Sequence, residues 1–422
     1  MAISRRNFIQ LASGSVVGLS MSGLSLKALA SNNTVTLGLN IPMTGDYAPW
    51  GLPGLYGCQI VAEDINAGGG VKIGDDTYNI NVVAYDHGYN TEKAVQGYKK
   101  LHYNDNAKMI MMLGGSTVAS VMPFANRNET LTTTLLPSDI TNDTPSLVAP
   151  CETHPLYNVT GVEWLAKNNP DLKSAVIITT NDMEYGKQSA ATYAAAFEVA
   201  GIEVLAEEFH GYDVADFAPL VGKLLAHNPD VFCMATDVYT TPIVEQLYQQ
   251  GYKGKIISCT LDGYGDVIAK TSKEFAEGIV FQFPDFDDPM LTSENTSFPD
   301  PARFDRIFNE RHPGEWSAVA WEYPSILLGW IEAAQRAGSI EPNKVLHGFL
   351  GNDSATHTFG AAKWWGQNLW GKNNALVGDW PVVAINDGKA TIQEFGSVYD
   401  WVVQNGDVLK RHLREHGITV VN

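Results

Sequence analysis

Thr34-Val35-Thr36-Leu37-Gly38-Leu39-Asn40-Ile41, then a long segment from Leu52 to Asn66, then Gly68-Gly69-Gly70, then Asn79 to Tyr85: this opening stretch decides the fold. The first run is short, apolar and rich in β-branched residues, which predicts a strand. The second predicts a helix, and three glycines stop it because glycine tolerates the backbone that ends a helix. The third alternates as a strand again. The unit then recurs. A helix is predicted over Thr91 to Tyr103, followed by the apolar run Lys108 to Leu113. Later strands are predicted at Ala175 to Ile178, Val231 to Met234 and Ile256 to Cys259, with helices near Lys187 to Ala200, Asp216 to His227 and Pro242 to Gln250. Continuous apolar strands between amphipathic helices imply parallel sheets covered on both faces, a doubly wound α/β architecture. Asp285 to Pro301 reads as a loop, and Val398 to Asn422 as a mixed helical tail.

The amino terminus carries a different message. Ser4-Arg5-Arg6-Asn7-Phe8-Ile9-Gln10 is a near match to the twin-arginine export pattern, followed by a weakly apolar stretch and Ala28-Leu29-Ala30. Residues 1–30 are therefore expected to be a removable signal, and the mature protein to work folded in the periplasm. Polar residues break the stretch before it reaches the ~20 apolar residues a span requires, so no direct membrane insertion is expected. The first cysteine is Cys58, too distant for lipidation at the cleavage site.

At 422 residues the chain exceeds what one hydrophobic core usually serves, so two domains are expected. With 28 basic and 47 acidic residues the net charge is −19, and loss of Arg5, Arg6 and Lys27 makes the mature chain more acidic still. Such a surface repels phosphate backbones, so nucleic acid is excluded as a partner. Cys58, Cys151, Cys233 and Cys259 have no C-x-x-C spacing; Cys233 and Cys259 read as buried thiols that could also pair.

Ligands in doubly wound sheets bind beyond the carboxyl ends of strands. The loops there hold Trp50 after the first strand, Gly114-Gly115-Ser116-Thr117, Pro137-Ser138-Asp139, Asn181 to Gly186 with Tyr185, Thr236-Asp237-Val238-Tyr239, and Leu261-Asp262-Gly263-Tyr264. Hydroxyls, a carboxylate and aromatic faces together suit a small polar ligand with an apolar part. Each residue also has a plainer reading: Asp262 as a helix cap, Tyr185 and Tyr239 as surface tyrosines, Trp50 as packing. Trp364, Trp365, Trp370 and Trp380 form a late aromatic cluster, read first as core or hinge packing and second as a cleft wall.

Enzyme motifs do not survive inspection. His412-Leu413-Arg414-Glu415-His416 spells an inverted zinc-protease motif, but too little chain follows to supply a further acidic ligand. No phosphate-binding loop, dinucleotide fingerprint or nucleophile elbow stands in the mature sequence, so neither catalysis nor a cofactor is expected.

Further phrases, in order, carry a resemblance: Pro42-Met43-Thr44-Gly45 with Gly51, Glu63 to Val71, Tyr85-Asp86, Gly115-Ser116-Thr117, Tyr185-Gly186, Asn228-Pro229-Asp230, Ala276-Glu277-Gly278 and Ala333 to Ser339. From Thr34 to about Ser397 the chain resembles the leucine/isoleucine/valine-binding protein family, the type I periplasmic solute-binding proteins of ABC transporters. The resemblance implies two lobes joined by a three-crossover hinge: residues 31–150 plus about 280–360, and 151–279 plus about 361–397, with 398–422 as a tail. It implies that Ser116 and Thr117 hold a ligand carboxylate, that Ser138 and Tyr185 contact the ligand, that Asp262 binds an α-ammonium, and that Trp50 matches the family's first-loop aromatic. Asp237 and Tyr239 both fit the family's later tyrosine position. Tyr89 replaces the cysteine of the family's first-lobe disulfide, and aspartate stands at 262 where amino-acid binders often carry glutamate. The implied partners are a small molecule (amino acid, amide or aromatic carboxylate, with urea also bound in this family) and a membrane permease. A receptor in place of the permease is the alternative.

Overall fold

The computed structural model of the chain describes residues 33–421 apart from Glu152 and Asp237. The expected export signal lies outside these described residues. The first sheet contains β1 (Asn33–Ile41), β2 (Val71–Ile73), β3 (Asp76–Asp86), β4 (Ile110–Met112), β5 (Thr132–Thr133) and β6 (Leu147–Val148) in the order β2-β3-β1-β4-β5-β6. Helices α1 (Leu52–Ala67), α2 (Thr91–Tyr103) and α3 (Ser116–Arg127) connect its strands. Apart from the antiparallel β2–β3 pair, its ladders are parallel.

The second sheet contains β7 (Ser174–Thr180), β8 (Glu203–His210), β9 (Val231–Met234), β10 (Lys255–Ser258) and β11 (Val280–Phe281) as its parallel part. Helix α4 (Asn158–Asn168) enters it, and α5 (Gly186–Val199), α6 (Ala218–Leu225), α7 (Thr240–Gln249), α8 (Tyr264–Lys270) and α9 (Lys273–Ala276) link its strands. Helices α10 (Pro301–Arg311), α11 (Val319–Ala337) and α12 (Pro342–Leu350) then return to the first layer, α10 and α11 against α1 and α12 against α11. Finally β12 (Ser354–His357), β13 (Gly360–Trp365), α13 (Gln367–Trp370), β14 (Ala375–Asn386) and β15 (Lys389–Ser397) extend the second sheet with antiparallel strands. The chain thus crosses between layers three times, at 149–157, 282–300 and 351–353. Ala149 in the first crossing bridges Ala375 at the start of β14, its N–H donating to the Asn374 carbonyl at 2.9 Å.

The expected strands form where apolar runs are continuous because both faces are covered: all four residues of β9 and the last five of β1 are buried. Helix contacts are close where glycine permits them. A Cβ at Gly57 of α1 would sit 2.0 Å from the Ala320 carbonyl oxygen, so only glycine lets α1 and α11 approach this far. The four cysteines are buried thiols, and none of them forms a disulfide among the described residues. The late tryptophans pack: Trp380 stacks on Tyr157 at 4.7 Å, Trp365 meets Trp370 edge-on at 5.5 Å, and Trp364 meets Phe349 at 6.1 Å.

Residues from 398 onward carry α14 (Val398–Glu415), which packs on α5 and β14 through buried Trp401, Val402, Leu409 and Leu413. The histidines of the zinc-like motif are hydrogen-bonded to carboxylates there: His412 Nε2 lies 2.7 Å from Glu198 and His416 Nε2 lies 2.9 Å from Glu207. Among the described residues no group of three such side chains could hold a metal. No helix among them is long and apolar enough to cross a membrane.

Candidate functional site

In the first sheet β1 lies between β3 and β4, and in the second β7 lies between β8 and β9. The order reverses at those strands, and a crevice opens beyond their carboxyl ends. The loops after these strands face one another around a partly open cavity of about 60 Å³. The first layer contributes Tyr47 and Trp50 after β1, Leu113 after β4, and Leu135 and Leu136 after β5. The second contributes Thr180 and Tyr185 around the end of β7, Tyr212 after β8, Thr236 and Val238 after β9, and Cys259 and Thr260 after β10. His154 and Tyr157 come from the first crossing, Phe283 from the second, and Ala318, Val319 and Glu322 from the start of α11.

Several contacts bridge the two layers at the cavity edge, so the arrangement is a closed one. The Tyr89 hydroxyl donates to Glu184 Oε2 at 2.5 Å. Gln188 Nε2 donates to Ser138 Oγ at 2.8 Å, and the Ala318 N–H reaches Asp262 Oδ2 at 3.4 Å. Tyr47 stacks on Tyr89 at 4.3 Å and reaches Tyr212 at 6.3 Å.

The polar groups follow a pattern. A helix N-terminus attracts anions through its exposed N–H groups. At this cavity the N-termini are already occupied by the protein's own carboxylates. Asp139 accepts from the Gly115 N–H at the start of α3, at 3.1 and 3.2 Å to its two oxygens, and from the Thr134 hydroxyl at 2.6 Å. Asp182 accepts from the Tyr185 N–H at 2.6 Å and the Gly186 N–H at 3.2 Å at the start of α5. Asp262 accepts from Ala318 at the start of α11. Burial pushes the carboxyls of Asp139 and Asp262 up to about 7 each. His154 joins its Nδ1 to the Tyr157 hydroxyl at 2.8 Å and its Nε2 to Thr236 Oγ1 at 3.3 Å. Burial lowers its pKa to about 4, so at neutral pH it is an uncharged imidazole. Among the described lining residues there is no lysine or arginine, and the carboxylate present is that of Glu322, 1% exposed.

Of the residues singled out from the sequence, Trp50 and Tyr185 line the cavity. The other described ones are not among the lining residues. Thr117 is buried and its hydroxyl donates to the Gly114 carbonyl at 2.8 Å, which spends it on its own turn. Ser116 is the half-buried first residue of α3. At that helix end the Asp139 carboxylate accepts from the Gly115 N–H, beside the carboxylate seat expected of this pair. Ser138 is engaged by Gln188, and the Tyr239 hydroxyl donates to the Tyr212 carbonyl at 2.6 Å. Asp262 faces the α11 terminus, and Asp237 lies outside the described residues. Tyr47, His154, Tyr212 and Glu322 line the cavity and were not singled out. For Glu322 one signal existed, an acid inside the apolar run of α11, but in a first turn it reads as an ordinary complement to the helix dipole.

Two α/β layers crossed three times, with a cavity between facing strand ends, define a bilobed binding protein. The chain belongs to the periplasmic binding protein family, whose model matches residues 34–390. Solved structures share the fold at low identity. A leucine-binding protein, LivK, from Thermotoga maritima is 18% identical with a TM-score of 0.67, covering 87% of this chain and 100% of that one. A solute-binding protein from R. palustris in complex with benzoate is 14% identical with a TM-score of 0.66, covering 86% and 97%. A branched-chain amino acid binding protein, LivJ, from Streptococcus pneumoniae in complex with isoleucine is 18% identical with a TM-score of 0.65, covering 86% and 99%.

Proposed function

We propose that the chain is the solute-binding component of an ABC importer, working in the periplasm, that closes its two lobes over a small amphipathic solute and presents the closed form to a membrane permease. The observation that carries this reading is the cavity between facing strand ends, with cross-lobe bonds such as Tyr89 to Glu184 at its rim. Those bonds form only when the lobes meet, so a ligand that fills the cavity shifts the population toward the closed state. The apolar part of the solute packs among Leu113, Leu136, Phe283 and Val319, and its polar part meets Thr236, Thr260, His154 and Glu322.

An amino acid or related carboxylate is the ligand the resemblance first implied, and solved relatives hold isoleucine and benzoate. The capped helix ends favour a solute without a carboxylate, the amide or urea side of the alternatives, because the groups that would receive an anion are in use. A thermal-shift panel of amino acids, amides, amines, urea and aromatic acids tests the reading, since a ligand that binds only the folded state raises its melting temperature with concentration. One class should raise it and leave the rest inert. A flat response across the panel, with turnover of any member, would replace binding by catalysis.

A further inference from the structure

We propose that Glu184 is a specificity-determining residue: as the lobes close, its carboxyl group, carried by the second lobe, fills the place over Gly115 where a solute carboxylate would seat, so the closed cleft takes solutes that have none. The assignment rests on the solute-binding reading and adds the residue that sorts the solutes. The place itself follows from the fold. Gly115 precedes α3 and follows β4, the neighbour of β1, where the strand order reverses. A ligand there meets backbone N–H groups with the helix dipole behind them. Gly115 has a φ of 66°, in the left-handed region, and no side chain, so the space above it is open to another group. The group that takes it is Glu184. A Cβ built on Gly115 would overlap Glu184 Oε2 and the Tyr89 hydroxyl. Glu184 comes from the loop after β7 in the opposite layer, and its Oε2 accepts from the Tyr89 hydroxyl at 2.5 Å.

Donors at this helix end already have protein acceptors. The Gly115 N–H donates to Asp139, the Thr117 hydroxyl to the Gly114 carbonyl, and the Tyr89 hydroxyl to Glu184. A solute carboxylate arriving here needs the space that Glu184 fills and the hydrogen that Tyr89 gives it. Without them it is desolvated and unmatched, which is unfavourable. Nothing among the described lining residues compensates, since they include no lysine or arginine. Lys187, in the first turn of α5, lies over the Phe209 ring at 6.0 Å instead. This exclusion asks nothing of the protonation of Glu184, because a carboxyl oxygen fills the space and accepts the hydrogen bond in either form. The filled place adjoins the solute space. The Tyr89 hydroxyl lies 3.4 Å from that of Tyr185, which lines the cavity.

The test compares matched pairs, isovaleramide with isovalerate and benzamide with benzoate, by calorimetry on the mature parent and on Glu184→Ala, which vacates the place without adding an atom. In the parent at least one amide should bind about tenfold or more tighter than its acid, as expected when a charged group loses its hydrogen bonds. In Glu184→Ala that ratio should collapse, with the acid binding more tightly than it binds the parent. The ratio is the readout because loss of the Tyr89 bond weakens closure over both members of a pair, and a gain in acid binding is not what damage to the fold produces. Acetate, close to the group that alanine removes, should raise the melting temperature of Glu184→Ala with concentration and leave the parent's unmoved. Glu184→Gln still fills the space and still accepts from Tyr89, so it should keep the parent's ratio. A glutamine variant that behaves like alanine overturns occupancy as the cause. An acid that binds the parent as tightly as its amide, or a ratio unchanged in Glu184→Ala, overturns the assignment and leaves solute binding intact. If no amide, urea, amine or acid of the thermal-shift panel binds parent or variant, the assignment and the solute-binding reading fail together.

Discussion

Tyr89→Phe isolates the closed state. The hydroxyl of Tyr89 crosses the cleft to Glu184 at 2.5 Å, while its ring stacks on Tyr47 of its own layer at 4.3 Å. Phenylalanine keeps the stack and removes what the hydroxyl makes across the cleft, the bond to Glu184 and a longer one to the Tyr185 hydroxyl at 3.4 Å. A hydrogen bond to a charged group contributes about 1.5–3 kcal/mol. Both partners are only partly buried, so Glu184 can regain water when the hydroxyl goes, and the lower figure applies. About 1.5 kcal/mol corresponds to roughly a tenfold fall in the closed-to-open ratio. Because the bond exists in one state only, the dissociation constant of any ligand that closes the parent rises by about the same factor when the free protein is mostly open. Fluorophores on cysteines introduced at Tyr103 and Tyr248, 65% and 42% exposed and on opposite layers, report the lobe separation directly, and the native cysteines are buried. Single-molecule transfer efficiencies give the ratio with and without ligand. A Tyr89→Phe variant with unchanged closed population and unchanged affinity would refute the reasoning, because the bond would then carry no closing energy.

Gly57→Ala should destabilise the protein by about 1–3 kcal/mol, seen as a lower urea midpoint, because the new methyl meets the Ala320 carbonyl and forces α1 from α11. Asp262 has a folded pKa near 7, raised by burial above its ordinary 3.8, so it binds a proton more readily folded than unfolded and its ionisation costs stability as pH rises between those values. The melting temperature of Asp262→Asn relative to the parent should therefore rise from pH 5 to pH 8; a constant difference would contradict the shift. For His416 burial pulls the pKa down, but the bond to Glu207 outweighs it and leaves the value raised above 6.5. That pair therefore stabilises fully below the unfolded pKa and fades as pH climbs through the folded one. Glu207→Gln should loosen α14 in hydrogen exchange most at pH 6 and least at pH 8.

Much of the architecture is legible in the sequence because parallel strands buried on both faces must be continuously apolar. That is why Val231 to Met234 and Ile256 to Cys259 stand out, and why glycines 68 to 70 mark the end of α1. Strands of two residues, such as β5, β6 and β11, leave no periodicity to read. The antiparallel strands β12 to β15 are held by pairing between distant segments, which no local pattern reveals. The site divides in the same way. Trp50 and Tyr185 follow from the rule that loops after strands face the ligand. Thr117 obeys the rule by position, yet its hydroxyl is turned to its own carbonyl, a choice of rotamer that spacing cannot disclose. Glu322 and His154 reach the cavity from a helix start and a crossing, so only the three-dimensional path of the chain brings them there.

Closure around a ligand is the central claim, and small-angle X-ray scattering of the mature protein with and without a saturating ligand from the thermal-shift panel measures it most directly. The radius of gyration should fall on ligand addition, and less so for Tyr89→Phe at the same concentration. A ligand that saturates the protein by calorimetry yet leaves the scattering curve unchanged would contradict the account.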